Sequence, residues 1–337
     1  MSARDVPPRN ASEAVRPDPR LVARFRGDLA RLIHVDEDPV LVAVSGGADS
    51  LALLLLAHEV LGDRCFAATV DHGLRPASAA EAAMVARLCE ERGIEHAILS
   101  APLPARAGHT ANLSARARLL RYRLLEDHAA ERGQAWLATA HHGDDQLETL
   151  VMRLNRGAGA AGLAGIRHKG GRIIRPLLGW RRTELAALVA DCGVEAIDDP
   201  TNVDDRFDRA RLRKVLAGVD WLDVERIGVS VAALREAEDA LAWTTRRLMD
   251  QHCSLADGEA TLDPLDLPPE LVRRMTRACV EHVDAASEPT GPGLLRLIES
   301  LRQGRRAMLG NVVAETRGEG MAGVRWQFRE APPRRSH

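Results

Sequence analysis

At 337 residues, 45% of them hydrophobic and 28% charged, the chain is long enough for two domains and has the composition of a soluble globular protein. A formal net charge of −2 excludes a surface coated in basic groups, so contact with nucleic acid has to come from local patches. The longest strongly apolar run, Leu51 to Ala57, is too short for a membrane span, and the first twenty residues hold no apolar secretory segment, so a cytoplasmic protein without a membrane partner is expected.

In chain order, residues 1–19, with Pro7, Pro8, Pro17 and Pro19, read as a disordered tail. Leu21, Phe25, Leu29 and Leu32 have the spacing of a helical stripe. Val40 to Val44 is a short β-branched run suited to a fully buried strand of a parallel sheet. Ser45-Gly46-Gly47-Ala48-Asp49-Ser50 follows, and then an apolar helix. Glycines without a Cβ let backbone amides approach a ligand, and amides at a helix start favour an anion, so this strand, turn and helix read as a phosphate grip. It is not the commoner Gly-Lys-Ser/Thr loop, because the only lysines are Lys169 and Lys214.

Three more strands are expected at 65–70, 94–99 and 135–139. Between them, Ser78 with Glu81 forms a capping box for one helix, and residues 112–132 form another. The latter turns Leu113, Ala117, Leu120 and Leu124 inward and sets Arg118 and Arg121 on a neighbouring face. Repeated strand, crossover helix and strand predict an α/β fold with a doubly wound, mostly parallel sheet, whose ligands bind at the carboxyl ends of the strands. Gly157 to Gly165 reads as a flexible or closely packed segment. From Thr149 to Thr183 there is no carboxylate, while Arg153, Arg156, Arg167, Lys169, Arg172, Arg175, Arg181 and Arg182 make a positive stretch, suited either to phosphates or to a solvated face. Beyond Val219 the pattern is helical over 227–253, 268–283 and 293–302, and it closes with a hairpin of 308–315 and 324–328. The reading therefore divides the chain into a catalytic domain at 20–218, a smaller, mainly helical C-terminal domain at 219–330, and a tail at 331–337.

The fourth strand runs into His141-His142-Gly143-Asp144-Asp145-Gln146-Leu147-Glu148-Thr149. Asp144 and Asp145 fall at a helix start, where the dipole favours carboxylates. Asp145 and Glu148 share one helix face, an arrangement that suits an ammonium group or a metal. His141 and His142 suit phosphate contact or proton transfer.

Taken together these stretches resemble the tRNA(Ile)-lysidine synthase family of PP-loop ATP pyrophosphatases. The resemblance rests on Ser45 to Ser50, on Val70-Asp71-His72-Gly73-Leu74-Arg75, on Ala117-Arg118-Leu119-Leu120-Arg121-Tyr122 and on Thr139 to Thr149. It continues through Arg153 to Gly165, Arg175 to Leu178 and Asp199 to Asn202. It implies a ligase that uses ATP as co-substrate, with magnesium, to join free L-lysine to the 2-position of the wobble cytidine of isoleucine tRNA. The products are lysidine, AMP and pyrophosphate, and the codon read changes from AUG to AUA. By the same resemblance Ser45, Gly46, Gly47, Ala48, Asp49 and Ser50 hold ATP, Asp145 and Glu148 hold lysine, and Arg118 or Arg121 stabilises the adenylated base. Asp49 and Asp144 are the expected magnesium carboxylates. Arg209 to Lys214, Arg211 and Arg213 among them, contact tRNA phosphates, and the C-terminal domain recognises tRNA. His141 is the expected proton acceptor for the attacking amine. The oligomeric state stays open, a homodimer included.

Two other readings compete. One is a PP-loop enzyme that adenylates a different tRNA base or a small molecule. Sulfur-transferring members need paired cysteines, and Cys65, Cys89, Cys192, Cys253 and Cys279 lie far apart. The other is a nucleotide-binding module without catalysis, for which the Asp145 and Glu148 pair is surplus.

Overall fold

The computed structural model describes residues 15–71, 73, 77–100, 113–197, 208–219, 221–264, 266–318 and 323–332. They divide into two compact units, 1–234 and 235–337. The division falls inside one long helix, α9 (Val224–His252). Val15 to Asp18 is ordered chain rather than tail, because Pro17 is buried and the Asp18 carboxylate accepts the Arg20 N–H as a helix cap. What was expected of residues 1–14 and 333–337 lies outside the described residues.

The first unit opens with α1 (Pro19–Ala30) and β1 (Val40–Ala43), followed by α2 (Ala48–Leu61), β2 (Cys65–Asp71), α3 (Ala77–Glu91) and β3 (Glu95–Ser100). Next come α4 (Leu113–Glu131), β4 (Trp136–Ala138), α5 (Gly143–Asn155), α6 (Ala160–Leu163), β5 (Lys169–Gly170), β6 (Ile173–Ile174), α7 (Arg182–Asp191) and α8 (Asp208–Ala217). The six strands lie in the order β3-β2-β1-β4-β6-β5, parallel except for the β5–β6 pair. The chain winds outward from β1 to β3, then restarts on β1's other side with β4. That reversal opens a crevice beyond the carboxyl ends of β1 and β4, where open parallel sheets bind ligands.

The core explains why α2 is apolar all round. Leu51 to Ala57 are all buried, and α2 packs against α1, α7 and the sheet. Each such leucine contributes about 1.5–3 kcal/mol by leaving water. On α4 the buried positions are Leu125 and Ala129, one residue on from the expected stripe, with Leu120 and Leu124 only half-buried; the side chains of Leu113 and Ala117 lie outside the described residues. The Ser78 hydroxyl donates to Asp71 at 2.6 Å, and α3 begins at Ala77.

In the second unit α10 (Pro269–Val283) and α11 (Gly291–Arg302) join the end of α9. They cover an antiparallel sheet of β7 (Cys253–Ala256), β8 (Glu259–Leu262), β9 (Ala307–Leu309), β10 (Val312–Arg317) and β11 (Arg325–Glu330). Met275, Cys279 and Leu301 close its core against Trp326 and Phe328. Sequence reading expected only the terminal hairpin. Its first arm breaks at Gly310 (φ 60°) into β9 and β10, and β7 and β8 are too short and polar to stand out from the end of α9. No helix among the described residues is long and apolar enough to cross a membrane.

Candidate active site

The turn after β1 is fixed from within. Gly46 has φ +84°, a conformation that side-chain-bearing residues rarely adopt, and its carbonyl accepts the Ile197 N–H at 2.9 Å. A Cβ at Gly46 would lie 2.5 Å from Cδ1 of Ile197. The Ser50 hydroxyl donates to the Gly47 carbonyl at 2.9 Å and accepts the Ser45 N–H at 3.1 Å, with Ser45 Oγ 3.2 Å away. The first N–H groups of α2 lack intrahelical acceptors, and Gly47 supplies no side-chain cap, so an anion can take them. The turn is open, with Ser45 exposed and Gly47, Ala48 and Asp49 half-buried.

Beyond β4, His142 occupies the position ahead of α5 and is 2% exposed. Its Nε2 lies 3.4 Å from Asp49 Oδ2 and 3.6 Å from Asp145 Oδ2, and its Nδ1 lies 3.6 Å from Asp144 Oδ2. Burial works against the charged ring, but the Asp144 and Asp49 contacts and the Asp145 charge prevail and raise its pKa to about 9. It is an imidazolium at neutral pH, binding the turn after β1 to the α5 carboxylates.

Its neighbour behaves in the opposite way. Burial, followed by the charges of Arg118, Arg175 and Arg209 against that of Asp145, lowers the His141 pKa to about 4. Arg118 Nη2 lies 3.2 Å from His141 Nε2, and since a guanidinium only donates, that nitrogen accepts. Nδ1 therefore carries the proton and donates to Thr139 Oγ1 at 3.0 Å. A neutral ring whose free lone pair already faces an arginine is a weak base, which argues against His141 as the proton acceptor.

The acidic residues have separate employments. Asp144 Oδ1 accepts from Arg181 at 3.2 and 3.3 Å, and Oδ2 accepts the Arg182 N–H at 2.8 Å, capping α7. Against the cost of burial, His142 and these partners hold its carboxyl below the usual range. With both oxygens committed it does not suit a magnesium ion, unlike Asp49, whose Oδ1 is buried without a hydrogen-bond partner. Asp145 Oδ2 accepts the His142 N–H at 3.1 Å, and Oδ1 accepts Arg209 Nη2 at 2.9 Å. Burial is again outweighed, here by His142 and Arg209, and its carboxyl stays ionised. Glu148, 3% exposed, receives Arg209 Nε and Arg213 Nε at 2.7 Å each and Arg213 Nη2 at 3.2 Å.

Thus Asp49, His141, Asp144, Asp145 and Glu148 converge, Arg118 joins them through His141, and Arg121 and Arg211 lie on exposed faces of α4 and α8. Arg213, expected on tRNA phosphates, is turned inward onto Glu148. The central place of His142 and the inward turn of Arg209 were missed. The available signals were a histidine at a helix-cap position and the i, i+4 spacing of Arg209 and Arg213. The positive stretch is also partly internal. Arg153, Lys169, Arg172 and Arg175 donate to backbone carbonyls of the same unit, and Arg181 to Asp144. Within it, Gly165 (φ +68°) is closely packed, since a Cβ there would meet Gln146 Oε1 at 2.6 Å.

The PP-loop domain family matches residues 21–219. The tRNA(Ile)-lysidine synthase of Novosphingobium aromaticivorans is 46% identical over 324 residues, 93% of this chain and 95% of that protein. The chain belongs to the tRNA(Ile)-lysidine synthase family. A second member, from Zymomonas mobilis, is 37% identical over 302 residues, covering 87% of this chain and 89% of that one. The solved U34-tRNA thiolase NcsA from Methanococcus maripaludis shares the fold, with a TM-score of 0.53 at 21% identity over 64% of this chain and 78% of that chain. Membership of the lysidine synthase family brings ATP use with it. Cys65 and Cys89 do not favour sulfur chemistry here, because burial pushes both thiols up, Cys89 to about 12, which leaves them protonated and unreactive.

Proposed function

We infer that this site forms lysidine on tRNA(Ile), by an ATP-dependent ligation in two steps. In the first, the 2-oxygen of the wobble cytidine attacks the α-phosphorus of ATP, and the bond to pyrophosphate breaks. In the second, the ε-ammonium of free lysine gives up a proton to water, the neutral amine attacks C2, the C2–O bond breaks with departure of AMP, and the nitrogen passes its second proton to the departing phosphate or to water. The observation that carries this reading is the junction of the two halves. Asp49 on the phosphate loop and Asp145 on α5 contact one imidazole nitrogen, at 3.4 and 3.6 Å.

Each half suits its task. The amides at the start of α2 receive the phosphates, and Asp145 with Glu148 receives lysine as its ammonium before the proton is lost. Arg118 or Arg121 stabilises the adenylated base through the negative charge of its phosphate. Magnesium fits here through Asp49 alone among the two expected carboxylates, since magnesium takes one or two carboxylates alongside phosphate oxygens; when bound it offsets charge on the departing pyrophosphate. The assay is transfer of radiolabelled lysine to isoleucine tRNA with cytidine at the wobble position, in the presence of ATP. Label in the tRNA with matching pyrophosphate release is expected. Pyrophosphate release with other substrates but no label here would favour a relative that adenylates a different base.

A further inference from the structure

Both members of the acidic pair already hold cations, and the cations belong to the chain. Arg209 bridges Asp145 and Glu148, while Arg213 forks onto Glu148. The two arginines are one turn apart on α8 and share a face. A guanidinium and an ammonium want the same lone pairs, and two carboxylates matched by two guanidinium groups are already neutral. A third cation would find no uncompensated carboxylate there, because Asp49 already faces the His142 imidazolium and Asp144 faces Arg181. The arginines are not locked in, since their side chains are 38% and 26% exposed.

We propose that Arg209 and Arg213 set the order of substrates: they fill the amino-acid site until tRNA phosphates draw them away, and lysine then takes their place on Asp145 and Glu148. The proposal rests on the reading of that pair as the lysine site. A displaced guanidinium needs another anion, and a polyanionic backbone provides one. The same helix carries exposed Arg211 and Lys214, so its outer face is already cationic. The intended consequence is that free lysine binds poorly to the chain alone and well to its tRNA complex.

The test is equilibrium binding of radiolabelled lysine to the full chain, with and without isoleucine tRNA. The wild-type chain should bind lysine at least about tenfold more tightly with tRNA than without. Arg213→Gln should bind it about tenfold more tightly than wild type when tRNA is absent and lose most of the tRNA effect. Unchanged or weaker binding by Arg213→Gln, or no tRNA effect in wild type, overturns the proposal. Glu148→Gln separates the two levels: lysine binding that survives it means the amino acid sits elsewhere, and the underlying site assignment fails instead. Because Arg213→Gln leaves buried Glu148 with Arg209 alone and weakens the fold, hydrogen exchange on the wild-type chain gives a second readout. Saturating lysine should speed amide exchange across residues 208–217, whereas slower or unchanged exchange contradicts displacement.

Discussion

Asp49 at the start of α2 and His142 ahead of α5 meet at 3.4 Å, carboxylate to imidazolium, across the crevice between β1 and β4. The turn after β1 and the carboxylates of α5 therefore meet on one imidazole, and several measurable properties depend on the groups around it.

Truncation of Asp145 should separate lysine use from nucleotide binding. Loss of a charge-assisted partner of this kind costs about 1.5–3 kcal/mol, or about ten- to a hundredfold. In Asp145→Ala, kcat/KM for lysine should fall by at least that much while ATP affinity changes little. Full lysine incorporation by this variant would remove Asp145 from the lysine site.

His141 and His142 should shape the stability–pH curve from opposite sides. His142 binds its proton up to about pH 9 when folded but only to 6.5 when unfolded, so its contribution is complete below pH 6.5 and is lost as pH rises through 9. His141 holds off protonation to about pH 4, so between 6.5 and 4 the unfolded chain takes up the proton and stability falls with acidification. Asp144 and Asp145, held below the ordinary value of 3.8, contribute stability above it that is lost as pH falls further. Together these groups place the maximum near pH 6.5. Calorimetric Tm values should follow this shape, and His142→Gln should flatten the alkaline limb; an undiminished alkaline decline in that variant would contradict the charge assignment.

Asp49 and Asp144 should respond differently to amidation. Asp49→Asn should raise the magnesium concentration needed for half-maximal activity. Asp144→Asn should leave that requirement alone and lower stability by about 1–2 kcal/mol, the worth of a helix cap with an arginine partner. Magnesium titrations beside thermal melts distinguish the two, and a shifted magnesium requirement in Asp144→Asn would restore it as a metal ligand.

Gly46→Ala should damage the nucleotide site through the backbone. The left-handed φ costs an alanine about 1–2 kcal/mol, and the added methyl collides with Ile197. ATP affinity should drop, and Ile197→Ala in the same chain should recover only part of the loss, because it relieves the collision but not the φ. Complete recovery would show that crowding alone was responsible.

Much of this was written locally. The β-branched run before Ser45, the small residues of the turn and the apolar helix after it define the loop through short-range sterics and propensity, so the parallel sheet and the strand–turn–helix were both legible. Asp145 and Glu148 share a face because of helical spacing, which the sequence fixes wherever the helix lies. Coordinates were needed for relationships between segments far apart in the chain. Whether Arg213 points to solvent or to Glu148, 65 residues away, depends on how α8 packs beside α5. Adjacent histidines acquire opposite charge states because burial opposes the charged form of both rings, but carboxylates at three positions outweigh it on His142 while arginines reinforce it on His141. Cations of the carboxylate-free stretch settle on carbonyls of their own unit for a similar reason: carbonyls left outside the ladders accept donors, and only the folded chain reveals which cation is within reach. Composition and spacing settled the kind of elements and their order; packing distance settled which charges meet.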